Sequence, residues 1–151
     1  MARRRKAGDI YRYDFYEPYH CYCQVLLESD VCFFNYYSAT KDDDIEQVIQ
    51  REELFRIWTD DCFKSSKWTF ICNKELSDEK KAVLDKYNKL VGAEDYFLYR
   101  NGIVQPCKRE DCFGLEYTAA WTELGITQRL RYAFFNEPLP EHVKADLPFY
   151  N

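Results

Sequence analysis

The sequence predicts an α+β fold in which a curled antiparallel β-sheet packs against a few helices. Three observations support this class. The first third of the chain alternates aromatic and β-branched residues with other residues, as strands do. An Asn-Gly pair lies between two further strand-like runs. Two later segments carry apolar residues at helical spacing. The residues of the second strand predict that both of its faces are partly covered, which a strongly curled, barrel-like sheet would achieve.

The first three strands are predicted to form an antiparallel meander. They cover residues 9–15, 19–28 and 31–37, with turn signals at Glu17-Pro18 and Ser29-Asp30. Tyr11, Tyr13 and Phe15 should share one face of the first strand, because side chains alternate along a strand. In the second strand Cys21 alternates with Tyr22, so we expect both of its faces to be covered.

A short helix and two more strands should follow. Asp42, Asp43 and Asp44 precede residues 45–49, whose apolar spacing suits a short helix with carboxylates at its positive end. The same aspartates lack the ligand pattern of a calcium loop. Residues 53–59 and 68–73 are predicted strands, joined by a polar connection with room for one helical turn.

The second half is predicted to contain a hairpin and three helices. The first helix runs from Ser77, a suitable N-cap, to Leu90, and Gly92 is a fitting stop. Residues 96–100 and 103–105 form the hairpin around Asn101-Gly102, and Pro106 ends its second strand. The other two helices cover residues 109–120 and about 122–134. Pro138, Pro140 and Pro148 indicate an irregular tail.

Length and charge predict one domain with a basic tail. The 151 residues suit a single α+β domain over residues 8–151, after a disordered basic tail over residues 1–7. The net charge is −5, and Arg3, Arg4, Arg5 and Lys6 contribute four positive charges, so the rest carries −9. Such an acidic body is unattractive to nucleic acid and can steer a basic protein partner, although it also serves plain solubility.

Seven cysteines, an odd number, do not suggest the disulfide framework of a secreted protein. Cys21 and Cys23, like Cys107 and Cys112, lack the spacing of a zinc site, so we expect buried free thiols, no metal and no cofactor. No segment near the start has the apolar length of a signal peptide or a membrane span. A reducing cytoplasm is the expected location.

Single residues indicate packing rather than chemistry. Glu116 lies among apolar neighbours, and burial would require a partner, for which Arg129 and Arg56 are candidates. Trp58, Trp68 and Trp121 are expected in the core. The sequence offers no nucleophile with a base and no phosphate loop, so we expect no enzyme activity.

Several short motifs, in order, resemble the immunity protein 26 family of bacterial polymorphic toxin systems. The resemblance runs from about Gly8 to Arg131. Its motifs are Gly8-Asp9-Ile10-Tyr11, Gln24-Val25-Leu26, Leu54-Phe55-Arg56-Ile57-Trp58, Trp68-Thr69-Phe70-Ile71, Gly114-Leu115-Glu116, Ala119-Ala120-Trp121 and Gln128-Arg129-Leu130. The chain departs from the family where Tyr and Cys fill the strand at residues 19–25, since relatives usually have glycines there.

The resemblance implies a cytoplasmic antidote that binds and blocks a cognate toxin domain, with no membrane partner. Many such toxins are nucleases, whose active sites favour anions, so carboxylate-rich loops are candidate contacts. The toxin-contact candidates are Asp42, Asp43, Asp44, Asp60, Asp61, Tyr36 and Tyr37. Gly8, Asp9, Trp58, Trp68, Gly114, Leu115, Glu116 and Trp121 are the structural residues of the motifs. The oligomeric state is left open.

Two other classes of function stay open. A small nucleic-acid-binding β-barrel would place Arg3 to Lys6 on phosphates and stack exposed aromatic rings on bases, but the acidic body argues against it. An enzyme with an unrecognised site is the third alternative.

Overall fold

The computed structural model describes residues 3–90 and 95–150, and it confirms the α+β class. Within these residues the strands are β1 (Asp9–Tyr16), β2 (Tyr19–Val25), β3 (Asp30–Ser38), β4 (Glu53–Thr59), β5 (Trp68–Asn73), β6 (Lys86–Lys89), β7 (Tyr96–Arg100), β8 (Ile103–Cys107), β9 (Glu116–Tyr117) and β10 (Ala120–Trp121). The helices are α1 (Ile45–Val48), α2 (Asp78–Lys81), α3 (Glu123–Phe135) and α4 (Glu141–Lys144), with 3-10 turns at Cys62–Lys64 and Arg109–Cys112.

The strands form two sheets, each of mixed direction. The larger has the order β10-β4-β3-β2-β1-β5, and the smaller has the order β8-β7-β6-β9. Most neighbours are antiparallel, but β10 pairs with β4 and β9 pairs with β6 in parallel. The predicted antiparallel pairing therefore holds for most strands, while the two parallel pairs make both sheets mixed. In the described chain both sheets are open rather than closed as a barrel.

One face of the larger sheet carries the main core. Tyr11, Tyr13 and Phe15 are buried there together, which confirms that they share a face. The ring of Tyr13 stacks on Trp68 with the centroids 3.9 Å apart. Helix α3 covers this face with Ile126 and Leu130, both fully buried. Trp121 is also buried in this core.

The opposite face of the same sheet carries a second core. Tyr22 and Leu26 of the β2 region pack there with Val48 of α1 and Leu76. Cys21 and Cys23 face the main core instead. The prediction that both faces of the second strand are covered is therefore confirmed.

The smaller sheet contacts the larger one at the end of β4. Trp58, expected in the core, is only half-buried and meets Tyr99 edge to face, with the ring centroids 5.2 Å apart. The Lys86 ammonium lies 3.0 Å from Oδ1 of Asp30, and both side chains are buried. The two sheets therefore meet at an aromatic contact and a buried ion pair.

The predicted helix over residues 77–90 was wrong. Ser77 caps α2 as expected, but the helix stops at Lys81 and residues 86–89 form β6. Val83, Leu84 and Leu90, apolar residues within the predicted helix, are exposed. Gly92, the proposed stop, lies outside the described residues.

The predicted helix over residues 109–120 was also wrong. That segment holds a 3-10 turn and the two-residue strands β9 and β10. The helix at about 122–134 is confirmed as α3, which Thr122 caps by accepting a hydrogen bond from the Gly125 N–H. The hairpin is confirmed, but Pro106 lies inside β8, an edge strand where its missing N–H is tolerated.

Gly8 begins the large sheet in a conformation that requires glycine. Its φ is +92°, and a Cβ there would lie 2.5 Å from the carbonyl oxygen of Lys74. Its N–H donates to the Val25 carbonyl, and its own carbonyl accepts from Lys74 N–H. Gly8 therefore connects β1 to both neighbouring strands.

All seven cysteines are free thiols, and Cys21, Cys23, Cys32 and Cys112 among them are buried. In the part of the chain that the structure describes, every helix is too short or too polar to span a bilayer. The same part brings together no group of three metal-ligating side chains.

Candidate partner-binding surfaces

The three aspartates at residues 42–44 have different surroundings. Asp42 is exposed. Asp44 is exposed as well, and its Oδ1 accepts a hydrogen bond from the Glu46 N–H, 3.0 Å away, as the N-cap of α1. The side chain of Asp43, by contrast, is only 3% exposed. The cluster therefore offers two carboxylates to a partner rather than three.

Asp43 is the acceptor of a buried polar network. His20 Nε2 lies 2.6 Å from its Oδ2, and the Tyr22 hydroxyl donates to the same oxygen over 2.7 Å. The Tyr36 hydroxyl donates to Oδ1. Burial alone would raise the pKa of Asp43, but these hydrogen bonds outweigh it and the pKa is lowered. The network fixes the loop between β3 and α1 to the sheet.

Asp60 and Asp61 are exposed just after β4. Asp61 lies 2.5 Å from the Lys64 ammonium, and the hydrogen bond from Lys64 lowers the pKa of Asp61. Arg5 adds a second nearby positive charge. Asp61 therefore lies beside two basic side chains.

The structure separates the two acidic clusters. Residues 42–44 lie before the start of β4 and residues 60–61 follow its end, so about 20 Å of strand separates them. Helix α1 packs on the second core, whereas the turn at Cys62–Lys64 packs on the main core, across the sheet. The two clusters therefore belong to different parts of the protein surface, and each is a separate candidate contact.

The two tyrosines predicted near the clusters already make contacts within the fold. Tyr36 is half-buried and points its hydroxyl at Asp43. Tyr37 is 42% exposed, yet its ring packs against Phe134 and Phe135 of α3, with centroids 4.9 and 5.1 Å away. Tyr37 is thus on the opposite face of β3 from Tyr36.

Glu116 pairs with Arg129, which confirms one of its two predicted partners. Two parallel hydrogen bonds of 2.7 Å join the guanidinium to the carboxylate. Arg56 instead donates to Glu53 and to the carbonyl of Ala82. Both ion pairs line a groove of about 680 Å³ between the sheets, where Gly114 and Leu115 also lie.

Asp9, like Asp43, is a buried carboxylate that accepts several hydrogen bonds. It is fully buried, and its carboxylate accepts hydrogen bonds from Arg3, the Lys6 N–H and Asn73. Burial would raise the pKa of Asp9, but the hydrogen bonds from Arg3, Asn73 and Lys6 lower it overall. Asp9 thereby attaches residues 3–6 to the sheet.

The sequence reasoning missed the roles of His20 and Tyr22. Both side chains lie on the same face of β2, two residues apart, and both carry a polar tip. Their period-two spacing places both on one face of the strand, but Asp43 lies 23 and 21 residues further along the chain, so the sequence carries no signal of a shared acceptor. The network they form with Asp43 is a support for the surface rather than a contact of its own.

Comparison with known proteins supports the family resemblance. The family model for Immunity protein 26 matches residues 6–97, more than half of the chain, from β1 into β7. The motifs at Gly114-Leu115-Glu116, Ala119-Ala120-Trp121 and Gln128-Arg129-Leu130 lie beyond the matched residues. No curated protein and no solved structure matches the chain. The chain belongs to the Immunity protein 26 family.

Proposed function

We propose that this protein is a non-enzymatic antidote that binds and neutralises a cognate toxin domain of a bacterial polymorphic toxin system. Membership of the Immunity protein 26 family is the observation that carries the proposal. The protein would act as a single domain in the cytoplasm of the bacterium, where the toxin must be blocked.

Neutralisation would occur by occlusion rather than by chemistry. The groups most suited to acid–base catalysis are already engaged in the fold. His20 and Asp43 are buried partners, and Glu116 is held by Arg129 through two hydrogen bonds. Structural engagement of these groups supports a binding role for the surface.

The proposed toxin contact is the loop before α1, with Asp42 and Asp44 as its charged residues. Both are exposed, and the Asp43 network holds the loop in place, so little ordering would be required on binding. A nuclease active site attracts phosphate, and two carboxylates are suited to meet the same positive charges. A nuclease is accordingly the toxin class that this surface fits.

A rescue assay tests the proposal. The toxin domain encoded beside this gene is expressed in a test bacterium with and without this protein, and survival is scored. Specific rescue that is absent with an unrelated toxin supports the antidote function. Cell death despite soluble expression of both proteins contradicts it.

Matched variants locate the contact. Asp42→Asn with Asp44→Asn removes two charges and keeps a side chain that caps a helix as well as Asp does. Asp60→Asn with Asp61→Asn removes the same charge from the distant cluster. Reduced rescue by the first variant alone supports the loop as the contact, whereas equal rescue by both removes it from the interface.

A further inference from the structure

The first described residues form a cleft with the edge of the large sheet. We call it the basic cleft, and its cationic side chains are Arg3, Arg4, Arg5 and Lys64. It has a volume of about 550 Å³ and one carboxylate, that of Asp61, in its lining. The cleft is therefore positively charged, although the whole chain has a net charge of −5.

Aromatic rings hold two of the arginines in fixed positions. The Arg3 guanidinium lies 3.9 Å from the ring centroid of Phe70, and that of Arg5 lies 4.4 Å from the ring centroid of Phe63. Arg3 also donates to the buried Asp9, and Arg5 donates to Thr59 over 2.7 Å. A guanidinium fixed on a ring is preorganised to donate from its edge to a carboxylate.

The cleft is placed to receive an extended chain. Trp68 and Phe70, which line it, belong to β5, the edge strand of the six-stranded sheet beside β1. An edge strand presents backbone N–H and C=O groups to a segment that lies along it. The volume is in the range of pockets that take several side chains or a small molecule.

We propose that the basic cleft binds an acidic peptide segment of a protein partner. Glutamate or aspartate side chains of that segment would accept hydrogen bonds from Arg4, Arg5 and Lys64. A nucleic acid fits less well, because the rings of Phe63 and Phe70 already carry guanidinium groups where bases would stack. The cleft and the loop at Asp42 and Asp44 lie at opposite ends of β4 and on opposite faces of the sheet, so this proposal does not depend on toxin binding.

Fluorescence anisotropy with a labelled ten-residue polyglutamate peptide tests the proposal at low salt. Arg4 and Lys64 are exposed, so Arg4→Ser with Lys64→Ser removes cleft charge without touching the core. Lys81→Ser with Lys108→Ser is the matched control at exposed positions outside the cleft. Two exposed charge contacts are worth roughly a five-fold change in affinity. We expect that weakening for the cleft variant and an unchanged affinity for the control variant.

Four results would overturn the proposal. The first is that the unaltered protein shows no saturable binding of the peptide, and the second is that both double variants weaken binding equally. The third is that a ten-residue oligothymidylate binds more tightly than the peptide. The fourth is that the unaltered protein forms a dimer that the cleft variant dissociates. The third would assign the cleft to nucleic acid, and the fourth would assign it to a second copy of this chain.

Discussion

Replacing Glu116 by Gln should destabilise the protein markedly while leaving its partner surface intact. Glu116 and Arg129 are joined by two hydrogen bonds of 2.7 Å, and their side chains are 15% and 8% exposed. The Arg129 guanidinium also lies 4.0 Å from the ring centroid of Phe55, so water has little access to it. Glu116→Gln would leave this guanidinium charged without its counter-ion.

The structure sets the size of the effect. Removing one partner of a buried ion pair costs about 3 to 5 kcal/mol of unfolding free energy. Position 116 keeps some contact with solvent, and Gln keeps one oxygen that can accept a hydrogen bond from Arg129. We therefore expect a loss at the lower end of this range, about 3 kcal/mol of unfolding free energy. For a protein of this length that corresponds to a fall in Tm of roughly 6 to 12 °C.

Thermal unfolding followed by circular dichroism measures this change. Glu141→Gln is the control, because the Glu141 side chain is 89% exposed and its ion pair is with the exposed Lys144. The double variant Glu116→Leu with Arg129→Met should lose less stability than Glu116→Gln alone, since it leaves no unpaired charge. A Tm for Glu116→Gln within about a degree of the control would refute the reasoning, because each kcal/mol shifts Tm by roughly 2 to 4 °C. Loss of toxin rescue with an unaltered Tm would instead place Glu116 in the interface.

Three further predictions follow from the buried groups and the proposed contact. Asp43→Asn should lower the unfolding free energy by about 2 kcal/mol at pH 7, since hydrogen bonds to a charged group are lost. The folded-state pKa of Asp43 is lowered, so its contribution is present above the unfolded pKa of about 3.9 and disappears as pH falls through the folded pKa. Urea unfolding should therefore show the variant approaching the unaltered protein below about pH 4, and a constant difference down to pH 3 would contradict this. Burial raises the pKa of Cys32, of Cys62 and of Cys112 to about 12 in each case, so in a thiol titration at pH 8 the half-buried Cys72 and Cys107 should react first and the others only on unfolding. Rapid reaction of four or more thiols would show a looser core. In calorimetry at low salt, Asp42→Asn with Asp44→Asn should weaken toxin binding roughly five-fold and flatten its salt dependence, while Asp60→Asn with Asp61→Asn should change neither. Equal effects of the two variants would contradict the separation of the clusters.

The local sequence pattern predicted the strands and the helix that depend mainly on residues close to them in sequence. The bounds of β4 and β5 agree with the predicted residues 53–59 and 68–73, because both runs are rich in aromatic and β-branched residues, which favour strands. Helix α3 likewise agrees with the helix predicted at about residues 122–134. The hairpin of β7 and β8 followed from its Asn-Gly turn.

Elements held by distant pairing were missed. Residues 86–89 become a strand because β6 lies between two partners. It pairs antiparallel with β7 and in parallel with β9, which is about thirty residues further along the chain. Nothing in the spacing of Val83, Leu84 and Leu90 reveals that these residues stay exposed while Lys86 is buried against Asp30. Two-residue strands such as β10 carry too little periodicity to be predicted at all.

One contact near the candidate surfaces was predicted from the sequence. The pairing of Glu116 with Arg129 was anticipated because a carboxylate among apolar residues needs a partner. The different surroundings of Asp42, Asp43 and Asp44 were not predicted. These three aspartates are adjacent in sequence, and they differ only in which side chains of the strands contact them. The basic cleft likewise depends on Arg3 and Arg5 meeting Phe70 and Phe63, contacts that span about sixty residues of sequence.

Titration of the purified toxin domain with this protein tests the central claim most directly. Residual toxin activity is measured after incubation with increasing amounts of the protein, at concentrations well above the dissociation constant. If the protein acts by occlusion, toxin activity should fall linearly and reach its minimum at a fixed stoichiometric ratio. The activity should return when the complex is separated under denaturing conditions and the toxin is refolded. Inactivation by far less than a stoichiometric amount, or toxin that stays inactive after separation, would contradict the account and indicate an enzyme.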